Sequence, residues 1–275
     1  MTGTLYIVAT PIGNLGDFSL RGQQTLAEVD LIVAEDTRHS RHLLNHFGIN
    51  KPLLSMHEHN ELGRVDSLVE RMLSGDSIAQ ISDAGTPLIS DPGYLLARGA
   101  REAGIQVTVV PGPSAPIVAL ALSGLPASHF SFEGFLPSRS GPREQLLRDL
   151  LGETRTMIFF ESPRRVVDSL RSMERIFGPS REVSVARELT KLHESVHTAP
   201  LGELLRWIEE EQNRQRGEFV LVVKGADEES QEEELVEAYR IVELLARDLA
   251  PRRAAAVAAE ITGVRKNLLY RSLLE

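Results

Sequence analysis

The 275-residue sequence contains no cysteine. That excludes disulfides, thiolate metal sites and thiol redox chemistry, and it suits a reducing compartment, so a cytoplasmic protein is expected. No apolar run approaches the roughly 20 residues of a membrane-spanning helix, so no membrane association is expected. The opening stretch MTGTLYIVATPIG has no basic region and only a short apolar run, which does not fit a secretory signal. The common nucleotide and hydrolase signatures are missing too. There is no G-x-x-x-x-G-K-[ST] and no G-x-G-x-x-G, because Gly13-Asn14-Leu15-Gly16 has the wrong spacing. There is no G-x-S-x-G, which argues against a serine hydrolase. A triphosphate or dinucleotide ligand is therefore disfavoured. The net charge of −9 argues weakly against nucleic acid. However, DEESQEEE (227–234) alone holds six acids and no base, and it reads as a solvated linker that says little about the surfaces beside it.

What is present is a strict alternation. TLYIVAT (4–10), DLIVAEDTR (30–38), a short run at 52–56, SIAQIS (77–82) and QVTVV (106–110) read as buried strands. Helical spacing fills the gaps at 19–29, 37–47, 62–73 and 93–103, with Ser19 a cap and Gly48 and Gly104 stops. An apolar helix follows PGPSA to about residue 123. This predicts an α/β domain over 1–123 with a mostly parallel sheet covered on both faces. Composition shifts near SGLPASH (123–129), and five further strands with helices between them predict a second α/β domain over 124–226, with more antiparallel character. Three helical segments over 235–275, with a Thr262-Gly263 turn between the last two, predict a helix-turn-helix-like tail.

The unusual sequences all fall where the strands of the first sheet end. TPIGN follows the first strand, EDTR the second, SDAGTP the fourth and PGPSA the fifth. In parallel sheets, ligands bind beyond these carboxyl ends. Gly85 and Ala84 let backbone approach a ligand closely, while Pro87, Pro111 and Pro113 fix the loop paths. Asp83 can accept hydrogen bonds or stabilise a cation. Each loop alone is ordinary turn chemistry. Together they make a slot for a flat, weakly charged ligand.

The ordered motifs ATPIGNLGDFSLRG, VAEDTRHSRHLL, ISDAGTPLISDPG and VVPGPSA, with FEGFLP (132–137), resemble the tetrapyrrole-methylase-like superfamily of S-adenosylmethionine methyltransferases. Within it they are similar to the bacterial branch that methylates the 2′-hydroxyl of a cytidine in the decoding centre of 16S ribosomal RNA. The resemblance spans about residues 3–225, and the tail resembles that branch's C-terminal helical module. Corrin and sirohaem enzymes carry a glycine-rich first loop, whereas this chain has Thr10-Pro11-Ile12-Gly13-Asn14, which favours the RNA branch over a porphyrin-like substrate. The resemblance implies two α/β domains with S-adenosylmethionine in the cleft between them. It puts Pro11 and Gly13 beside the methyl donor, Asp83, Ala84, Gly85 and Ile89 along one side of it, Ser114 and Ala115 near the adenosine, and Glu161 on the second domain's wall. It also implies a homodimer and, as partner, 16S ribosomal RNA, taken here to be within the assembled small ribosomal subunit.

Such a reaction is an in-line displacement by a ribose oxygen, in which alignment matters most and a proton acceptor helps. Candidate acceptors are Glu35, Asp36, His57, His59, Glu188 and Lys191, the lysine only with a depressed pKa. Asp36 and Arg38 also fit a plain helix cap or ion pair. His57 and His59 lack a third ligand at a recognised spacing, so no metal is expected. Ten arginines lie in 138–187; Arg139, Arg143, Arg164 and Arg165 are candidate RNA contacts, and Arg252, Arg253, Arg265 and Lys266 are candidates in the tail. Two other readings stay open: a tetrapyrrole methylase of the same fold, and a non-enzymatic nucleic-acid-binding regulator that works through its tail.

Overall fold

A computed structural model describes residues 2–57 and 59–273, and for 228–234 the backbone alone. Strands β1 (Thr4–Val8), β2 (Leu31–Ala34), β3 (Leu53–Ser55), β4 (Ile78–Ile81) and β5 (Gln106–Val110) form one sheet in the order β3-β2-β4-β1-β5. Every pairing in it is parallel. The runs LIVA and IAQI are buried along their whole length, as strands covered on both faces must be. Helices α1 (Leu20–Glu28) and α2 (Thr37–His46) lie on one face, where Leu26 and Leu44 pack with Val8, Ile32 and Ala79. Helices α3 (Leu62–Leu73) and α4 (Tyr94–Glu102) lie on the other, where Leu68, Met72 and Leu96 pack with Leu5 and Ile78. Ser19 accepts from the Gly22 N–H and caps α1, as its position before the apolar run predicts. Buried Glu61 accepts from the Leu95 N–H at 2.8 Å, placing a carboxylate at the start of α4, where the helix dipole favours it. Because all five strands run the same way, the unusual loops stand along one edge.

The second sheet, order β6-β7-β10-β8-β9, contains β6 (Phe130–Phe135), β7 (Thr156–Glu161), β8 (Glu182–Arg187), β9 (Ser195–Pro200) and β10 (Phe219–Val223). Only β6 and β7 are parallel; the other pairs are antiparallel. Helices α6 (Ser140–Asp149), α7 (Val166–Phe177) and α8 (Leu201–Glu210) cover one face. The other face is covered by α5 (Ala115–Ser123), whose Ala119 and Leu120 pack with Ile158, Ala186, Val220 and Val222. In chain order α5 belongs with the first five strands; in space it packs on the second sheet and ties the two halves together.

The tail comprises α9 (Glu228–Leu245), α10 (Pro251–Thr262) and α11 (Lys266–Ser272), joined around the buried small residues Ala238, Ala254, Ala255 and Ala258 with Val242 and Leu269. The acid-rich run, which reads from its composition as a solvated linker, is helical instead. It opens α9, because Glu and Gln are good helix formers and acids are favoured in a first turn. Gly263 ends α10 at φ +74, which is the turn expected between the last two helices.

Candidate active site between the two sheets

Three loops of the first sheet are locked to one another. Thr10 and Gly85 exchange backbone hydrogen bonds at 2.9 and 3.1 Å, joining TPIGN to SDAGTP. The Thr86 hydroxyl donates to the Pro113 carbonyl at 3.0 Å, joining SDAGTP to PGPSA. Gly85 takes φ +82, and a Cβ there would lie 3.2 Å from Ile12, so the position favours glycine on both counts. These loops wall one side of a cavity of about 380 Å³, within the usual size of a small-molecule site. Phe135, Phe160, Phe219 and Val220 of the second sheet wall the other.

Of the residues proposed from sequence to hold a cofactor, Asp83, Ala84, Gly85, Ile89, Ser114 and Ala115 lie on this wall. Between Pro11 and Gly13 it is Ile12 that lines the cavity. Gly13 instead faces the second domain, where a Cβ would come within 2.5 Å of Lys191 Cγ. Glu161 lines the cavity too, but its carboxylate is spent inside the second domain. It pairs with Arg165 at 2.6 Å and accepts from the Ser169 hydroxyl at 2.6 Å and the Ser162 N–H at 2.8 Å. This makes Glu161 the post that fixes the start of α7. Glu161→Ala is expected to destabilise the fold by about 2–3 kcal/mol, somewhat below the cost of orphaning a fully buried partner because Arg165 keeps some water; urea melts measure it.

The candidate proton acceptors separate clearly. Asp36 caps α2 and binds its own turn: the side-chain hydrogen bond from Arg38 holds its carboxyl below the ordinary range. Lys191 sits 3.1 Å from Glu188 and 2.9 Å from Glu218. Burial by itself lowers its ammonium, but hydrogen bonds to Glu218 and Glu188 outweigh that and leave it raised, the opposite of what a base requires. Burial alone raises Glu188, yet the Glu218 N–H and Lys191 hold it low. His57 Nε2 lies 3.1 Å from the Asn60 amide, and its ring is 6.0 Å from that of His59. Neither histidine lines the cavity, nor does Glu35. Burial, then the charge of Asp83, raises the Glu35 carboxyl, with His57 pulling the other way.

The residue that sequence reasoning missed is Asp91, in the second half of ISDAGTPLISDPG. It lines the cavity beside Asp83. Burial first, then the carboxylate of Glu35, pushes its carboxyl up to about 6; Asp83 adds to this and a hydrogen bond from Ser82 opposes it. The preceding backbone is strained, with Leu88 at φ +76 and Ser90 at φ +66. Non-glycine residues held in that region cluster at functional sites, and a second Ser-Asp in one loop, Ser90-Asp91 after Ser82-Asp83, was the available hint.

Two of the proposed RNA contacts are corrected. Arg143 is buried, donating to the Ser172 hydroxyl at 3.0 Å and the Ser138 carbonyl at 3.4 Å. Arg165 is committed to Glu161. Arg143 serves the second domain's core, and the half-buried Arg165 is held by its ion pair with Glu161. Neighbouring arginines are also spent: Arg148 and Arg175 pair with Glu144, Arg171 with Glu209, and Arg155 with Glu153. Arg139, Arg164, Arg252, Arg253, Arg265 and Lys266 are exposed.

The family model described as Tetrapyrrole (Corrin/Porphyrin) Methylases matches residues 4–205, both α/β sheets up to α8. The chain belongs to this family. A second model, the RsmI C-terminal HTH domain, matches 232–275 of this methylase. Among curated proteins it is 52% identical to "Ribosomal RNA small subunit methyltransferase I" of Escherichia coli O157:H7, over 99% of this chain and 95% of that protein. It is 50% identical to the protein of the same name from Pseudomonas aeruginosa, over 99% of this chain and 97% of that one. Among solved structures, the methyltransferase CobJ superposes with a TM-score of 0.60 at 20% identity, covering 82% of this chain and 95% of CobJ. Uroporphyrin-III-C-methyltransferase from Thermus thermophilus superposes with a TM-score of 0.55 at 19% identity, covering 81% of this chain and 94% of that one. At such identities these two attest the fold alone.

A methylase needs a methyl donor, and the residues of the cavity fit a cationic one. Asp83 and Asp91 put carboxylates on one wall, while Ile12, Ile89, Phe160 and Val220 offer apolar surface to the rest of a flat ligand. Among the described residues no group of three or more His, Cys, Asp or Glu is arranged to hold a metal ion, and no helix is long and apolar enough to cross a membrane.

Proposed function

We propose that this methylase transfers the methyl group of S-adenosylmethionine to the ribose 2′-hydroxyl of a cytidine in the decoding centre of 16S ribosomal RNA, acting on the assembled small subunit. The observation that carries the reading is the cavity, with carboxylates on the first domain's wall, aromatic rings on the second domain's, and a mouth between the two sheets. The names of relatives half identical over nearly the whole chain support the substrate. The homodimer implied by the motifs and the cytoplasmic location expected from the cysteine-free sequence belong to the same reading.

When bound, the donor supplies an electrophilic methyl on a sulfonium sulfur and departs as a neutral thioether, so no leaving-group acid is required. The protein's work is alignment and proton acceptance. Asp83, Gly85 and the PGPSA loop hold the donor through the locked loop network. Asp91 takes the hydroxyl proton as the new oxygen–carbon bond forms. Its raised pKa makes it a stronger base than a solvated aspartate while leaving it ionised at neutral pH. The charges of Glu35 and Asp83 tune it, and the Lys191 ion pair with Glu188 and Glu218 braces the second-domain loop against which Gly13 of the first domain packs.

The direct test gives methyl-labelled S-adenosylmethionine and purified protein to small subunits from cells lacking the activity. Label on a ribose 2′-oxygen of one cytidine is expected, with assembled particles outperforming naked transcript. Label on a base rejects the hydroxyl acceptor, and equal rates on transcript and particle reject the requirement for assembly.

A further inference from the structure

β6 does not run as a regular strand. Against β7 its register goes from Phe132 with Ile158 directly to Gly134 with Phe159 and Phe135 with Phe160, leaving Glu133 as an extra residue. Gly134 takes φ +70 to make the bulge. In an unbroken strand Phe132 and Leu136 share a face. Here Phe132 packs on the α5 side with Ile158, whereas Leu136 is buried on the opposite side with Leu147 and Phe159. The bulge has exchanged the faces, and in doing so it aims Phe135 at the cavity.

The ring so placed is backed but not covered. Its centroid lies 5.4 Å from that of Phe160, which in turn stands 5.1 Å from Phe132. Phe135 nevertheless remains 54% exposed, at the rim of the cavity. The bulge also meets the acidic loop across the mouth: a Cβ on Gly134 would lie 3.6 Å from Ser90 Oγ, next in sequence to Asp91. An open aromatic face and the proton acceptor therefore stand on facing lips of one entrance.

We infer that Phe135 is the platform on which the nucleobase of the target nucleotide stacks while its ribose is presented to Asp91. The inference rests on the RNA reading above. RNA is read in sequence-specific fashion mainly through unstacked bases laid on aromatic side chains. A ring serving this purpose needs a rigid backing, a free face and a place on the same cavity as the proton acceptor, and Phe135 has all three. Stacking does not select a base by hydrogen bonding, so Phe135 supplies affinity and orientation and leaves base identity to other groups.

The test compares Phe135→Ala, Phe135→Leu and Phe135→Trp with the parent protein in ribose methylation of small subunits, in calorimetric binding of S-adenosylmethionine, and in thermal melts. Loss of one stacked base corresponds to about 5- to 150-fold. Phe135→Ala is expected to lower kcat/KM for the subunit within that range. Phe135→Leu, which keeps apolar packing but lacks a π face, is expected to do nearly the same. Phe135→Trp is expected to retain most activity, with donor affinity unchanged in all three. Parental kinetics in the alanine and leucine variants overturn the stack. So does a parallel loss of donor affinity, which would put Phe135 against the donor instead. A parent protein that transfers no methyl to the RNA removes the RNA reading and this inference together, whereas an active parent with indifferent variants removes this inference alone.

Discussion

Asp91→Asn lowers kcat for ribose methylation by about 10²- to 10⁴-fold, the usual contribution of a positioned general base, and leaves the affinity for the methyl donor nearly unchanged. The amide keeps the shape of the side chain but cannot take the hydroxyl proton. In the parent enzyme, kcat rises with pH through about 6 and then levels as the Asp91 carboxyl ionises; the variant loses this inflection. The charged groups that set its position are Glu35 and then Asp83, so Glu35→Gln shifts the inflection to lower pH without abolishing it. Stability moves in the opposite direction to activity. The folded-state pKa lies above the ordinary 3.8, so the folded chain binds this proton more tightly than the unfolded chain does. The contribution of Asp91 to stability therefore falls as pH rises from 3.8 to about 6 and stays low above it. Removing the charge lifts that penalty, and Asp91→Asn melts at a higher temperature than the parent above pH 6, with the gap closing toward pH 4. A variant with parental kcat but weakened donor binding would instead make Asp91 an anchor for the donor.

Asp83→Arg abolishes donor binding while the far-ultraviolet spectrum and cooperative melt persist. Asp83 lines the cavity at the end of β4, and its Oδ1 accepts from the Asp36 N–H at 3.2 Å, which orients the carboxylate. Opposite charges about 4 Å apart near a protein surface attract by roughly 4 kcal/mol, and reversing one turns that attraction into repulsion against a cationic donor. The longer side chain also occupies part of a cavity of about 380 Å³. The expected loss is at least about a thousandfold in Kd by calorimetry, at the value of that interaction. The fold survives because the loop is held by the Thr10–Gly85 backbone pair and the Thr86 hydroxyl and not by the carboxylate of Asp83. Unchanged donor affinity would move Asp83 out of the pocket.

Both predictions concern one loop, but only one of the two aspartates stands out in the linear chain. Asp83 follows a buried strand directly, in a run of Ala and Gly, where ligand loops of parallel sheets occur. Asp91 stands eight residues later among ordinary turn residues, and its character comes from burial and from Glu35 and Asp83, which reach it through the pairing of β2 with β4. The arginines show the same division. In sequence Arg143 and Arg165 look like any basic residues of a solvated face. Their roles are set by Ser172 and Glu161 across the packed second domain.

Sequence by itself determined the parallel first sheet, its helix caps and the edge where the ligand loops gather. It could do so because a strand buried on both faces must be apolar along its length, and because caps and turns are decided by residues two to four positions apart. Only the tertiary structure decided that α5 covers the second sheet, that a bulge turns Phe135 to the entrance, that the acid-rich run opens a helix, and that the Asp91 carboxyl gives up its proton late as pH rises. Each of these depends on which distant groups share a low-dielectric space or a register, and the spacing of residues along a chain does not encode that.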